Sequence, residues 1–446
     1  MICNHLIVKH LLKRCLENNI DLITFGCSKN LVDSEYLIKQ LEEAGFSVEH
    51  DSQNPKGKIV IINTCGFIGD AKEESINTIL NFAEAKKKGK ISQLFVIGCL
   101  SERYSNQLQT EIPEVDKYYG KFNHKELITD LMAEYRIDLQ YERTLTTPKH
   151  YAYLKISEGC NRTCSYCAIP LITGKHKSRT IESLVEEAKQ LAKKGVKELQ
   201  LIAQDLSYYG IDIYGKKTLK NLVNQLSDIE GIEWLRLHYA YPAGFPIDIL
   251  EEMNKNPKIC KYLDMALQHI SDPILKAMRR QITKAQTYEL LSKIREKVPE
   301  IHLRTSLITG YPNETKKDFE QLIEFVETAR FERLGIFEYS HEEDTYSGKY
   351  QKDNISKKVK QERAEAIMEI QRKISRQINE QKVGKIFKTI IDRKEGDFYV
   401  GRTQFESPEV DPEILIKSDK KIEIGRFINV KIEKIDDYEL FGGIES

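Results

Sequence analysis

Short apolar runs alternate with amphipathic segments through the first third of the chain. The apolar runs Asp21–Phe25, Ile59–Ile62 and Leu94–Ile97 have the length and composition of β-strands. Between them, Asp33–Glu43 and Asp70–Lys88 carry apolar residues at helical spacing. Because neighbouring parallel strands need a crossover, usually a helix, this order predicts a parallel α/β sheet.

The alternation continues with longer helices from about residue 150 to residue 376. Six further strands are predicted, at Tyr153–Ser157, Glu198–Ala203, Trp234–Tyr239, Leu263–Leu267, His302–Ile308 and Leu334–Glu338. Helices are predicted between them, among others at Ile181–Lys194, Tyr288–Lys297 and Lys317–Ala329. About six β/α units predict a partial (β/α)6 barrel with its active site at the carboxyl ends of the strands.

The pattern changes again after a charged amphipathic helix predicted at Ser356–Gln381. Short alternating runs follow, such as Lys385–Ile391 and Phe427–Ile432, and glycine residues punctuate them. This pattern is typical of a small all-β barrel.

The chain is therefore expected to contain three domains after an extension of uncertain status at residues 1–17. The predicted boundaries are 18–135, 146–376 and 379–446. His5, Lys9 and His10 interrupt the short apolar run of the extension, which argues against a signal peptide.

Composition excludes several classes of protein. The 446 residues include 68 basic and 68 acidic side chains, so no global field points to a nucleic-acid or membrane partner. No segment approaches the roughly 20 apolar residues of a membrane span. The nine cysteines are spread through a long chain rather than packed into a small secreted scaffold, which predicts reduced thiols and a cytoplasmic protein.

Cys160, Cys164 and Cys167 have CxxxCxxC spacing. Three thiolates at this spacing can hold three irons of a 4Fe-4S cluster, and the fourth iron remains open to bind a small molecule and pass it an electron. The alternative is a zinc site, but structural zinc takes four ligands and no fourth partner is evident. His176 lies near in sequence, between Lys175 and Lys177, and is predicted to be solvated.

Cys27, Cys65 and Cys99 each follow one of the first three predicted strands. They are 38 and 34 residues apart, but the carboxyl ends of parallel strands meet at one edge of a sheet, so a shared site is expected. The alternative is three buried cysteines that act as small apolar residues. The remaining cysteines match no cluster spacing and are interpreted as structural or incidental: Cys3, Cys15 and Cys260.

Further polar residues follow the strands of the predicted barrel and are expected at its open end. They are Gln204, Asp205, Gln268, His269, Gly310, Tyr339 and Ser340. Asp205 and His269 allow two interpretations. Each either contacts a bound cofactor or forms hydrogen bonds with neighbouring backbone groups.

The cysteine motifs resemble a known family. The CxxxCxxC segment resembles the radical S-adenosylmethionine (SAM) superfamily, the three earlier cysteines resemble the amino-terminal domain of methylthiotransferases, and the last domain resembles a TRAM domain. Five segments look like the RimO family, whose members methylthiolate the β-carbon of an aspartate in small-subunit ribosomal protein twelve. These segments are 26–35, 63–68, 203–205, 268–271 and 337–343.

The resemblance implies two 4Fe-4S clusters and SAM as cofactors. Cys160, Cys164 and Cys167 would ligate the cluster that binds SAM and generates a 5′-deoxyadenosyl radical, and Cys27, Cys65 and Cys99 would ligate a second cluster that carries the sulfur. A second SAM would supply the methyl group. An electron donor and a sulfur source are implied as partners.

Two loops depart from the family pattern. Asn313 and Asp344 stand where glycine is usual. Asn and Asp are the non-glycine residues that best tolerate a left-handed backbone, so both loops are expected to keep their shape.

Two alternative functions remain open from the sequence. The same clusters would serve a tRNA methylthiotransferase of the MiaB type, and a non-enzymatic iron-sulfur carrier or RNA-binding protein is a further class. Residues 379–446 contain 15 acidic and 12 basic residues, a net charge of about −3. A slightly acidic domain favours a basic ribosomal protein over RNA, although a few lysines could still contact RNA.

Overall fold

The computed structural model describes residues 18–445 and divides into two compact units. The first unit comprises residues 18–146 together with Ala168–Lys175. The second comprises Thr147–Cys167 and the chain from His176 onward. The predicted extension at 1–17, with Cys3 and Cys15, lies outside the described residues.

The first unit contains a five-stranded parallel sheet with strand order β2-β1-β3-β4-β5. Its strands are β1 Asn19–Thr24, β2 Ser47–His50, β3 Ile59–Thr64, β4 Gln93–Gly98 and β5 Lys117–Tyr118. Its helices are α1 Ser28–Glu43, α2 Gly69–Lys87, α3 Cys99–Glu111, α4 His124–Asp130 and α5 Ile169–Thr173, with a 3-10 turn at Ile137–Leu139. The predicted parallel α/β sheet is confirmed.

Both faces of this sheet are buried. Along β3, Ile59 and Ile61 belong to one apolar cluster, and Val60 and Ile62 belong to another. Successive side chains of a strand point to opposite faces, so an unbroken apolar run is what a sheet covered on both sides requires.

The second unit contains a six-stranded parallel sheet with order β13-β12-β11-β10-β9-β6. Its strands are β6 Tyr151–Lys155, β9 Glu198–Ile202, β10 Trp234–Ala240, β11 Ile259–Met265, β12 His302–Thr309 and β13 Arg333–Glu338. A small hairpin pairs β7 Ser157–Glu158 with β8 Lys177–Ser178. The six parallel strands match the predicted β/α units, and β11 begins four residues earlier than the predicted strand at Leu263.

Helices connect these strands. They are α6 Ile181–Lys193, α7 Ile211–Tyr214, α8 Leu219–Ser227, α9 Asp248–Lys255, α10 Asp272–Ala277, α11 Lys284–Lys297, α12 Lys316–Ala329, α13 Tyr346–Tyr350 and α14 Lys357–Glu380, with a 3-10 turn at Leu206–Tyr208. None of the helices within residues 18–445 combines the length and apolar character needed to cross a bilayer.

The chain ends in a closed five-stranded barrel with order β14-β15-β16-β18-β17. Its strands are β14 Ile386–Glu395, β15 Phe398–Arg402, β16 Ile414–Lys417, β17 Phe427–Ile435 and β18 Leu440–Ile444. The predicted all-β C-terminal barrel is confirmed.

A buried charge network joins this barrel to the six-stranded sheet. Arg402 of β15 donates hydrogen bonds to Glu198 of β9 at 2.9 Å and to Asp392 of β14 at 2.6 Å. Arg236 of β10 donates to Glu198 at 2.9 Å, and His150 lies 2.7 Å from Asp392. Because all five side chains are buried, the two β structures share one polar junction.

Two candidate iron-sulfur sites

The first unit brings Cys27, Cys65 and Cys99 to the carboxyl ends of β1, β3 and β4; we call these residues the first triad. Each cysteine comes directly after its strand or a short turn beyond it, so the parallel order of the sheet places all three at one edge. Cys65 and Cys99 are buried, and Cys27 is exposed.

Two glycines allow this close approach. Gly26 has φ +96°, and a Cβ on it would lie 2.9 Å from both Cβ and Sγ of Cys65. Gly98 has φ +99°, and a Cβ there would meet the Asn63 side chain and the Thr64 backbone at 2.4–2.7 Å. Left-handed backbone and close approach both require glycine, so these two positions determine how tightly the strand ends converge.

Two asparagine side chains connect the loops of the first triad. Asn30 donates from Nδ2 to the carbonyls of Phe25 and Thr64, both at 3.0 Å, and its Oδ1 lies 3.5 Å from Cys99 Sγ. Asn63 donates to the Asn30 carbonyl at 3.0 Å and to Ser34 Oγ at 2.9 Å. Sequence analysis did not single out either asparagine, although both lie in motifs that carry the family resemblance.

The three thiols of the first triad differ in their electrostatic surroundings. Burial raises the pKa of Cys65, and burial raises the pKa of Cys99 to about 12. Desolvation also raises the pKa of Cys27, but the Lys29 ammonium and the amide hydrogens of Asn30 and Lys29 outweigh it, so that pKa lies below its ordinary value.

Lys121 provides a further positive charge at the first triad. Its ammonium is buried and lies 3.5 Å from Asp33 Oδ2. Its charge acts to lower the pKa of each of the three thiols, against the effect of burial. A buried cation favours the thiolate, which is the form that binds iron. Sequence analysis missed Lys121, since an isolated lysine carries no local signal.

Cys160, Cys164 and Cys167, the second triad, lie in the second unit on the loop that follows β6 and β7. Ser165 anchors this loop. Its amide donates to the Met278 carbonyl at 3.0 Å, its hydroxyl donates to the Ala277 carbonyl at 2.8 Å, and its Oγ lies 2.7 Å from the Tyr311 hydroxyl. These contacts hold the loop against the end of α10.

Arg162 lies inside the motif itself and holds its first cysteine. The Arg162 amide donates to Cys160 Sγ at 3.4 Å, and its Nε donates to Asp205 at 2.7 Å. Burial raises the pKa of Cys160 to about 11 despite this amide hydrogen. Asp205 thus positions the loop by pairing with Arg162, a contact that the sequence did not predict.

Arg280 approaches the second triad from the segment after α10. Its Nη1 donates to Cys164 Sγ and to the Tyr166 hydroxyl, both at 3.4 Å. Its Cζ lies 4.1 Å from the centre of the Tyr241 ring. No pattern near Arg280 in the sequence indicated this role, because only the tertiary fold brings it to the cysteines.

Two histidines have structural environments. The prediction that His176 is solvated is wrong: it is 4% exposed, its amide donates to Asn161 Oδ1, and its Nε2 lies 3.0 Å from Ser178 Oγ. The β7–β8 hairpin carries it inward, and burial lowers its pKa. His269 Nδ1 accepts from the Ser271 amide at 3.0 Å, which favours the backbone-satisfying reading.

Other residues at the strand ends also have local partners. Gln204 donates to Glu158, and the Tyr339 hydroxyl lies 2.9 Å from Ser347 Oγ. The Gly310 amide donates to the carboxylate of Glu314. These contacts shape the strand ends of the six-stranded sheet. They do not by themselves assign a ligand role to Gln204, Tyr339 or Gly310.

The structure also describes Asn313 and Asp344, which stand where glycine is usual, and the isolated Cys260. Asn313 has φ +66°, a left-handed conformation that asparagine tolerates, whereas Asp344 is not among the residues with positive φ within 18–445. Cys260 is fully buried in an apolar cluster with Trp234 and Tyr262. Its position agrees with a structural role.

Neither triad is arranged as a site for one metal ion: within residues 18–445 no three Cys, His, Asp or Glu side chains are gathered closely enough. A 4Fe-4S cluster places each thiolate on a different iron, so its ligands stand farther apart than the ligands of one ion. The donor set of each triad, three thiols with a buried basic side chain nearby, suits such a cluster.

Three family models match successive parts of the chain. Residues 19–120 match the uncharacterized protein family UPF0004, residues 154–326 match the radical SAM superfamily, and residues 383–444 match the TRAM domain. The radical SAM family implies SAM and one 4Fe-4S cluster.

Among solved structures the chain resembles the radical SAM methyltransferase TsrM from Kitasatospora setae, with a TM-score of 0.55 and 16% identity over 74% of this chain and 77% of that protein. It also resembles the cobalamin-dependent radical enzyme OxsB, with a TM-score of 0.51 and 13% identity over 75% of this chain and 55% of that one. At these identities the likeness shows the fold alone.

Curated relatives are far more similar. A protein of Phocaeicola vulgatus is 57% identical over 96% of this chain and 99% of its own length, and one of Bacteroides thetaiotaomicron is 58% identical over 95% and 98%. A protein of Flavobacterium johnsoniae is 54% identical over 96% and 99%. All three carry the name ribosomal protein uS12 methylthiotransferase RimO. Identity at this level over nearly the whole length, with the three domain models in the same order, shows that the chain belongs to the RimO family of radical SAM methylthiotransferases.

Proposed function

We propose that the protein methylthiolates the β-carbon of an aspartate in ribosomal protein uS12, and that each cysteine triad ligates its own 4Fe-4S cluster. The observation that carries the proposal is the presence of two separate sets of three thiols. A chain that only cleaved SAM would need the second triad alone. The first triad, at the strand ends of a separate unit, supplies a place for a second cluster.

The chemistry needs a cofactor because a carboxylate β-carbon has no acidity that side chains can use at neutral pH. When bound, the cluster of the second triad supplies one-electron cleavage of SAM and thereby hydrogen-atom abstraction from an unactivated carbon. The chain's own residues position the cysteines of the second triad. Ser165 anchors their loop, and Arg162 and Arg280 orient Cys160 and Cys164.

The first triad is assigned to the cluster that carries the sulfur to be transferred. Its three thiols would hold three irons and leave the fourth open for a sulfide or methylsulfide. Cys27 is exposed and its pKa is lowered, whereas Cys65 and Cys99 are buried. Fixed positive charge from Lys29 and Lys121 would stabilise the anionic ligands of such a cluster.

The relatives' names support uS12 as the substrate. The charge of the C-terminal barrel agrees with a basic protein partner, since residues 379–446 have a net charge of about −3. A low-potential electron donor and a source of sulfide complete the requirements. A tRNA substrate, as in the MiaB type, is the second candidate, because the same two clusters would serve it.

The test is a competition between the two substrates. The full chain is reconstituted anaerobically with iron and sulfide and incubated with SAM, a low-potential reductant, recombinant uS12 and total tRNA. Mass spectrometry is expected to find the methylthio group on a uS12 aspartate. A methylthio group on tRNA and none on uS12 would overturn the substrate, and absence of 5′-deoxyadenosine from a fully loaded protein would overturn the radical chemistry.

A further inference from the structure

A buried guanidinium lies directly against the second triad. Arg280 is 3% exposed, and its Nη1 donates to Cys164 Sγ at 3.4 Å. The guanidinium faces the Cys164 thiol and the hydroxyls of Tyr166 and Tyr241. A permanently charged donor is thus directed at one of the three sulfur atoms assigned to iron.

The guanidinium is held in place from several sides. It lies against one ring, that of Tyr241, with its Cζ 4.1 Å from the ring centre, and Arg162 lies 4.0 Å from the same centre. The Tyr241 hydroxyl donates to the Arg280 carbonyl at 2.5 Å, and Arg280 Nη2 donates to the Ala266 carbonyl. With one face against the Tyr241 ring and with Nη1 and Nη2 both donating hydrogen bonds, the side chain has little freedom to turn away from Cys164.

The two arginines at this ring have different electrostatic roles. Arg162 is paired with the Asp205 carboxylate at 2.7 Å, so its charge is largely balanced. Arg280 faces neutral hydroxyls and the thiol instead. Arg280 therefore places a positive charge without a carboxylate partner among these contacts next to the second triad.

Such a charge affects the two redox states of a cluster unequally. A 4Fe-4S cluster gains one negative charge on reduction, so a nearby cation and an N–H donor to a ligand sulfur stabilise the reduced state more than the oxidised state. Hydrogen bonds to sulfur, net charge and solvent exposure are the protein's means of tuning cluster potentials.

We propose that Arg280 is a positioning residue that raises the reduction potential of the cluster on the second triad, through its hydrogen bond to the Cys164 sulfur. This inference rests on the proposed role of the second triad as cluster ligands. It assigns the tuning to a residue outside the cysteine motif.

The test uses the full chain with Cys27, Cys65 and Cys99 replaced by alanine, so that only the second cluster is present. Its potential is measured by redox titration followed by electron paramagnetic resonance, with iron content determined for each variant. Arg280→Gln is expected to shift the potential to more negative values by about tenfold in the reduction equilibrium, or about 59 mV for one electron. Arg279→Gln is the matched control, because Arg279 is exposed and its guanidinium contacts Tyr346.

An unchanged potential in a fully loaded Arg280→Gln protein would overturn the proposal. If that variant does not load iron, pulsed electron paramagnetic resonance of the chain labelled with guanidino-¹⁵N arginine provides the answer. A ¹⁵N coupling to the reduced cluster is expected, retained in Arg162→Lys, and its absence would overturn the hydrogen bond. A missing cluster signal in the chain with native Arg280 would instead contradict the proposed function.

Discussion

Backbone conformation at single residues determines how closely the thiols of the first triad approach one another. Gly26 and Gly98 both have left-handed φ angles, and any Cβ at either position would overlap atoms of the neighbouring strand end. The asparagine side chains then connect the loops by hydrogen bonds to backbone carbonyls. The positions of the three thiols therefore depend on residues outside the triad.

Replacement of Gly26 by alanine is expected to impair the first triad. The left-handed backbone costs a non-glycine residue about 1–2 kcal/mol, and the new Cβ would push Cys65 away from its position. The variant should lose iron from the first triad and lose methylthiolation, while SAM cleavage continues. Iron analysis of the chain with Cys160, Cys164 and Cys167 replaced by alanine measures the effect.

Gly45→Ala is the control for that experiment. Gly45 also has a left-handed φ, +90°, but a Cβ there meets nothing within 4 Å. It should lower stability by a similar backbone cost and leave iron loading unchanged. Equal iron content in the Gly26 and Gly45 variants would contradict the account of the strand ends.

Among the elements, the junction between the six-stranded sheet and the C-terminal barrel contains a network of buried charges. Arg402 contacts Glu198 on one side and Asp392 on the other, and its side chain is fully buried. Removing Arg402 would leave Glu198 with Arg236 alone and Asp392 with His150 alone, so buried negative charge would lose part of its compensation. The network is therefore expected to matter more for stability than the exposed ion pairs of the same barrel.

Arg402→Leu is expected to lower the free energy of unfolding by about 3–5 kcal/mol, because two buried carboxylates each lose one of their charged or polar partners. Arg393→Leu is the matched control on β14: Arg393 pairs with Glu413 and Glu395 at the surface, where such pairs contribute about 0–1 kcal/mol. Denaturant unfolding of both variants compares them. Similar losses in the two variants would show that the buried network adds no special stability.

The same junction predicts a pH dependence. Burial would raise the pKa of Asp392, but Arg402 and His150 outweigh burial and lower it to about 2. Since the unfolded value is about 3.9, the stabilisation is present above about pH 4 and is lost as pH falls toward 2, by about 2–3 kcal/mol. Urea unfolding as a function of pH should show a smaller loss over this window in Asp392→Asn than in the native chain. An identical loss in both would contradict the assignment.

Strong periodicity in the sequence predicted most of these elements, and weak periodicity explains the omissions. The buried apolar runs of β3 and β4 were found within two residues of their ends. The short edge strand Ser47–His50 and the two-residue strand Lys117–Tyr118 were not predicted, because neither contains an apolar run long enough to stand out. Their pairing depends on the neighbouring strands.

The residues of the candidate sites also fall into two groups: those that local sequence patterns predict and those that they do not. The spacing of the cysteines and the order of strands predicted both triads as candidate ligands, since the topology of a parallel sheet follows from local patterns. Lys121 and Arg280 were missed because they come from distant segments and have no motif of their own. Tertiary packing alone decides which basic side chains lie beside the thiols.

At the scale of the whole molecule, the two triads belong to two different compact units. Each triad has its own anchoring contacts: asparagine side chains and glycine turns in the first unit, and Ser165 with two arginines in the second. These anchoring hydrogen bonds are made within one unit for each triad. The two sites are therefore expected to load and function separately.

The most direct test of the account measures two products together, 5′-deoxyadenosine and methylthiolated uS12, in the reconstituted native chain, Cys65→Ala and Cys164→Ala. We predict that Cys65→Ala forms 5′-deoxyadenosine and no methylthiolated uS12, and that Cys164→Ala forms neither product. Loss of 5′-deoxyadenosine in Cys65→Ala, with the second triad still loaded with iron, would contradict two separate sites with separate tasks.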